Sequence, residues 1–182
     1  MTAKASSTLV GNTVTSFLTG VSEDQRPRIL RCLLFAELSA DKVADPKTAW
    51  KQWIDVYQQM LGVAGFDLAA RLDGGPVTVS NKKGFKRESA RIVSRVRSGD
   101  LAVAAQKALD TLFNSPHAQS FFKDWFNFNS GRSDSFQIIP CRKNLSNQIE
   151  IAVCALHMTT RTKLNRIPLG YWPFTYVMTL LL

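Results

Sequence analysis

The chain has 182 residues and a mass of 20.3 kDa; 45% of the residues are hydrophobic, and 23 Lys and Arg against 14 Asp and Glu give a formal charge of +9. This length suits one domain or at most two small ones, and the apolar content excludes a disordered tail, a collagen-like chain and a coiled coil. Three Cys cannot build a disulfide framework, so packing must hold the fold and a reducing compartment suits it.

The first residues carry one Lys and run into Leu9-Val10-Gly11-Asn12-Thr13, too polar for the apolar core of a signal peptide. Residues 171–182 form the one long apolar run, well short of the roughly 20 residues a membrane helix needs. A cytoplasmic protein without a transmembrane helix is expected, with export by a signal-independent route left open.

Val10, Val14, Phe17, Leu18 and Val21 recur at helical spacing, and the pattern predicts a first amphipathic helix over residues 7–20, stopped at Gly20. Ile29, Leu30, Leu33, Leu34, Ala36 and Leu38 carry a second helix from about Arg28 to Val43, with Ser22 and Asp24 as candidate caps. Asp45-Pro46 is a start signal: a capping carboxylate, then proline where its missing N–H is not needed. From there Ala49, Trp50, Trp53, Ile54, Tyr57, Met60 and Leu61 follow the helical period to a stop at Gly62.

After the turn Asp73-Gly-Gly-Pro76 comes a short strand, Val77-Thr-Val-Ser80, and then a helix over about residues 84–97. Phe85, Ser89, Ile92, Val93 and Val96 share one side of it; Arg87, Arg91 and Arg95 line the other. Residues 101–114 repeat helically, and Ser115-Pro116 opens a short helix holding Phe121, Phe122, Trp125 and Phe126. From residue 134 the period changes: 136–143, 148–162 and 172–182 are β-branched and aromatic, and read as three strands. In the long one Ile149, Ile151, Val153, Ala155 and His157 share a face, and its opposite face is apolar too, which marks a central strand. The expectation is one α+β domain over residues 1–182, with N-terminal amphipathic helices (about 7–128) packed on a C-terminal antiparallel sheet (about 134–182).

The stretch Leu33-Leu-Phe-Ala-Glu-Leu-Ser-Ala-Asp-Lys42, then Trp50, Trp53, Tyr57 and Gly62, then Phe136-Gln-Ile-Ile-Pro-Cys141, resembles a set of microbial proteins of unknown function. The matching positions are mainly apolar or aromatic. The resemblance therefore implies a shared core and carries no catalytic residue across.

Residues 71–182 hold sixteen basic against seven acidic residues, and residues 1–70 hold seven of each, so all the excess charge lies in the second part. Lys83, Arg87, Arg91 and Arg95 are the candidate anion-binding residues, able to neutralise phosphates of nucleic acid or anionic lipid; the competing reading is a solvated helix face. The aromatics of 121–128 and 171–174 could stack on bases or anchor in a membrane interface, but their spacing is that of core residues. Cys141 precedes Arg142 and Lys143, and neighbouring cations lower a thiol's pKa, which makes it the candidate reactive or acylated thiol. Cys154 and His157 fall on opposite strand faces and cannot form a dyad within that strand; His117 would have to come from elsewhere. Two His and three Cys without ligand spacing predict no metal site, and no nucleotide, zinc-protease or hydrolase motif is present, so no catalytic residue and no cofactor is expected. Three functions remain. The leading one is a non-enzymatic interaction or self-associating protein whose partner is itself or another protein. A membrane-active protein of toxin or virulence type follows, then a nucleic-acid binder.

Overall fold

The computed structural model describes residues 6–10, 13–71, 77–79, 82–96, 99–114, 116, 133–159 and 167–178. The fold is α+β, and its first departure from the sequence pattern comes at the N-terminus. Residues 7–20 are a hairpin, not a helix: β1 (Ser6–Val10) pairs antiparallel with β2 (Thr13–Phe17), Val10 opposite Thr13. The helical spacing of Val10, Val14 and Phe17 loses to local chemistry, because Thr8, Val10, Thr13, Val14 and Thr15 are β-branched and prefer extended backbone.

Helix α1 (Gln25–Val43) opens with half a capping box: the Ser22 N–H donates to Gln25 Oε1 at 3.0 Å while the Ser22 carbonyl accepts from the N–H groups of Gln25 and Arg26. The Asp45 carboxylate accepts from the Lys47 N–H at 2.8 Å, so Asp45-Pro46 opens a turn, and helix α2 (Trp50–Val63) begins after it. Gly62 lies within the last turn of α2. The stop is Gly65, whose φ of 93° is the left-handed backbone that glycine adopts without strain. Then follow β3 (Phe66–Arg71), absent from the sequence expectation, β4 (Val77–Val79), α3 (Lys82–Val93), α4 (Gly99–Asn114), β5 (Ser133–Lys143), β6 (Ile149–Thr159) and β7 (Ile167–Met178). The short helix expected after Ser115-Pro116, its aromatics and His117 fall outside the described residues.

The strands form one sheet in the order β1-β2-β5-β6-β7-β3, with β4 pairing the first part of β7. β5, β6 and β7 are antiparallel neighbours, as expected. The hairpin modifies the expected sheet, because β2 lies parallel to β5 and makes the sheet mixed. A parallel pair needs a long crossover, which the chain between residues 17 and 133 supplies. Strands also occur inside the segment expected to be helical, so the division at about residue 130 is one of emphasis.

β6 is central, and both of its faces are covered. Ile149, Ile151, Val153 and Ala155 join Phe17, Ile139 and Cys141 in a core with α1 and α2. Val14, Ile138, Ala152 and Cys154 point the other way and are equally buried, on the face where α4 packs against β2 and β5. The sheet is thus the middle layer of three, α1 and α2 on one face and α4 on the other, with α3 packed on α4. On the first face the rings of Trp50, Trp53 and Tyr57 stack along α2 at 5.5 and 5.1 Å, and His157 of β6 continues the column under Trp50 at 5.0 Å. Trp53 Nε1 donates to Asp41 Oδ1 at 2.7 Å and ties α2 to α1.

Candidate functional site

The basic helix forms but runs over Lys82–Val93 and not to residue 97, so Arg95 lies beyond its end. Ser89 and Val93 are buried, with Val96 just beyond the helix, while Lys83, Arg87, Arg91 and Arg95 are exposed. The four-residue spacing of Lys83, Arg87 and Arg91 sets them in one gently winding row, and Arg95 follows in the turn after the helix. Glu88 sits inside the row and accepts from Arg91 Nε at 2.7 Å and Arg87 Nε at 3.3 Å. Its carboxyl is held below the usual range, first by the hydrogen bond from Arg91, with Arg87 adding to it against the opposing effect of burial. Lys86 is turned inward to α4, pairing with Asp110 at 3.2 Å and lying over the Phe113 ring. Glu88 thus engages Arg87 and Arg91 from within the group, while Lys83 and Arg95 lie exposed at its two ends.

A second surface was not singled out in the sequence. α1 buries Ile29, Leu33, Ala36 and Ala40, and the same helix exposes Leu34, Phe35 and Leu38, each between 43 and 53% accessible. A groove of about 160 Å³ runs beside this stripe between α1 and β2, lined by Leu30, Leu33, Leu34, Thr13, Thr15 and Glu37. Burial pushes the Glu37 carboxyl up, and neighbouring Asp41 adds to the shift. The signal was present in the sequence: α1 carries more apolar residues than one face can bury.

Cys141 does not face solvent beside its basic neighbours. It is wholly buried in the core under α1 and α2, its Sγ faces the Ile139 carbonyl at 3.7 Å, and burial pushes the thiol far above its ordinary range. Sequence adjacency misled because neighbours on a strand point to opposite faces. Arg142 is turned away from Cys141, pairing with Glu150 across the strands and with Asp100 at 3.3 Å. Cys154 is buried in the other core, its thiol pushed up to about 12, and Cys32 is half-buried. Among the described residues no group of His, Cys, Asp or Glu is arranged to hold a metal ion, and no helix is long and apolar enough to cross a membrane. Tyr171–Phe174 lie along β7, opposite β6.

No family model matches the chain, and no curated protein matches it by sequence. Solved structures do match. The activated Cyt2Ba monomer from Bacillus thuringiensis subsp. israelensis is similar over 94% of this chain and 98% of its own, at 12% identity and a TM-score of 0.52. The chain shares the Cyt2Ba fold. A delta-endotoxin is similar over 94% of this chain and 83% of its own (12% identity, TM-score 0.48), and the Evf virulence factor over 93% and 73% (10% identity, TM-score 0.39). At 12% identity the likeness to Cyt2Ba is one of fold, and no residue is carried across.

Proposed function

We propose that this chain is a membrane-active protein of toxin or virulence type that meets its target through charge, with the outward row of α3 laid on an anionic membrane surface. The observation that carries the reading is the exposed cations Lys83, Arg87 and Arg91 of α3, with exposed Arg95 in the turn just after it, on a chain whose excess charge lies wholly in its second part. The fold shared with Cyt2Ba supports it. Each cation brought to an anionic bilayer contributes about 1 kcal/mol, so four of them hold the protein at low salt and release it at high salt. Nothing in this step needs a membrane-spanning helix. Adsorption by α3 turns the apolar stripe of α1 away from the bilayer, because the two helices lie on opposite sides of the sheet.

The test is the triple variant R87E/R91E/R95E against vesicles containing anionic lipid, read by co-sedimentation and by release of a trapped dye. Binding at low salt is expected to fall by at least roughly a hundredfold, with the protein still folded and its melting temperature lowered only by the loss of the Glu88 contacts. Binding that survives the triple variant, or that ignores salt, overturns the reading. Equal retention on DNA without dye release returns the row to nucleic-acid binding.

A further inference from the structure

The two helical layers leave one more concavity, at the end of the β1–β2 hairpin. A cleft of about 790 Å³ opens there between the hairpin and the first half of α4. α4 contributes Asp100, Val103, Ala104 and Lys107, positions i, i+3, i+4 and i+7, which form one stripe of the helix. The hairpin and the residues after it contribute hydroxyls beside the apolar Phe17 and Leu18. Ser7 and Ser16 are opposite each other in the register, with their Oγ atoms 2.9 Å apart, and Ser16 is 95% buried, at 5% accessibility. Ser6 and Thr19 line the same space, and Arg26 Nη1 donates to Ser6 Oγ at 3.0 Å.

The chemistry of this lining selects among ligand classes. A simple anion wants donors alone and would meet the Asp100 carboxylate; a simple cation wants acceptors alone and would meet Lys107. A purely apolar ligand would suit Phe17, Leu18, Val103 and Ala104 but would offer nothing to Asp100, Lys107 and the hydroxyls. Hydroxyls both donate and accept, the carboxylate only accepts and the ammonium only donates, so the lining as a whole matches a ligand rich in groups that do both. Asp100 is engaged by Arg142 at one oxygen, yet its side chain is 76% exposed, and a carboxylate accepts up to about four bonds. Val103 and Ala104 lie between the two charged ends of the stripe and offer an apolar strip for the C–H face of a sugar ring. The volume falls within the range of about 300–1,000 Å³ usual for small-ligand sites.

We propose that this cleft is a carbohydrate-binding site for a short oligosaccharide, with Asp100 and the Ser7–Ser16 pair accepting and donating to sugar hydroxyls, Lys107 donating at the far end, and Val103 packing on a ring. The proposal goes beyond the membrane reading and does not depend on it. The sugar could be free or the headgroup of a glycolipid, and the chemistry is shared.

The full chain is titrated with maltotriose, cellotriose and triacetylchitotriose by calorimetry and saturation-transfer NMR, and separately with phosphatidylcholine vesicles with and without a digalactosyl lipid. Val103→Trp fills the cleft from a residue 57% exposed, so it is expected to fold; Asp100→Ala removes the main acceptor. Each is expected to weaken binding by at least roughly tenfold, the loss from leaving sugar hydroxyls without partners. Lys51→Ala, on exposed α2 surface, leaves binding unchanged. Binding of a soluble trisaccharide that both cleft variants abolish supports the site with a free glycan; binding to the digalactosyl vesicles alone, lost in the same variants, supports it with a lipid headgroup. No binding in either arm, or binding indifferent to both variants, overturns it. Because these vesicles carry no anionic lipid and the trisaccharides carry no charge, failure here leaves the α3 reading standing, and failure of the α3 triple variant leaves this one.

Discussion

The two helical layers solve the same burial problem with different residues, and what they leave outside differs accordingly. α1 and α2 cover their sheet face with large rings, Trp50, Trp53 and Tyr57, which hold the helices at a distance and leave α1 a second apolar edge in Leu34, Phe35 and Leu38. α4 covers the other face with Ala104, Ala105 and Ala108 beside Leu101, Leu109 and Phe113, so its backbone lies close to the sheet. Residues 25–63 hold six basic against four acidic residues, and residues 82–114 hold eight against three. One layer ends in an apolar stripe and the other in a cationic row. The sheet between them keeps the two apart.

The comparison can be broken most sharply in the cores. Trp53 is buried, stacks on both sides and donates to Asp41, so Trp53→Ala opens a cavity and leaves the carboxylate without its donor; a loss of about 3–5 kcal/mol is expected in urea unfolding. In α4 the vulnerable change is the reverse. Ala108 is wholly buried, and Ala108→Leu should cost about 1–3 kcal/mol by overpacking. If removing bulk from α2 costs nothing while adding bulk to α4 is accepted, the contrast between a ring-packed and a close-packed layer is wrong.

How much of this was legible depends on which residues define each feature. The helices α1 to α4 were readable because their apolar residues repeat with a period that tertiary contacts then satisfy, and the central place of β6 followed from apolar residues on both its faces. The hairpin was misread because five apolar positions in a short segment fit two periods, and β-branched chemistry decided between them. Pairing partners were not legible: nothing in residues 13–17 says that they lie parallel to 137–141, since that pairing is long-range. The helical part of the basic row, Lys83, Arg87 and Arg91, could be read directly, because charged residues on a helix take the face left by the core, whereas the helix end before Arg95 carries no stop signal of its own. The cleft could not, because its serines and its α4 stripe are more than eighty residues apart and neither is distinctive alone.

The thiols sharpen the contrast between helix surface and sheet. Cys32 of α1 is half-buried, whereas Cys141 and Cys154 lie one in each core with their thiols pushed up by burial. Burial also raises the Cys32 thiol, with Arg31 opposing it, so slow labelling of Cys32 in the native protein is expected, with the other two reacting only on unfolding. Mass spectrometry of peptides after timed alkylation measures this directly. Native labelling of Cys141 ahead of Cys32 would contradict its place in the core.

The smallest expected effect is also the most specific, because the two layers should respond to pH with opposite sign. Glu37 of α1 has its carboxyl raised, first by burial and then by Asp41, from an ordinary value of 4.5. A carboxyl that binds its proton more tightly in the folded state detracts from stability at neutral pH, and that deficit fades as pH falls through its folded value toward 4.5. Glu37→Gln should therefore stabilise slightly at pH 7, with the gain shrinking in acid. Glu88 of α3 is lowered from the same 4.5, first by Arg91, so it adds stability above that pH and loses it as pH falls through its folded value. Glu88→Gln should destabilise at pH 7, with the loss shrinking in acid. Both carboxyls are close enough to solvent for each effect to be small, but a paired measurement of unfolding midpoints from pH 7 down to about 3 cancels what the rest of the chain does. Slopes of the same sign in the two variants would mean that the apolar edge of α1 does not desolvate Glu37, or that the arginines of α3 do not hold Glu88.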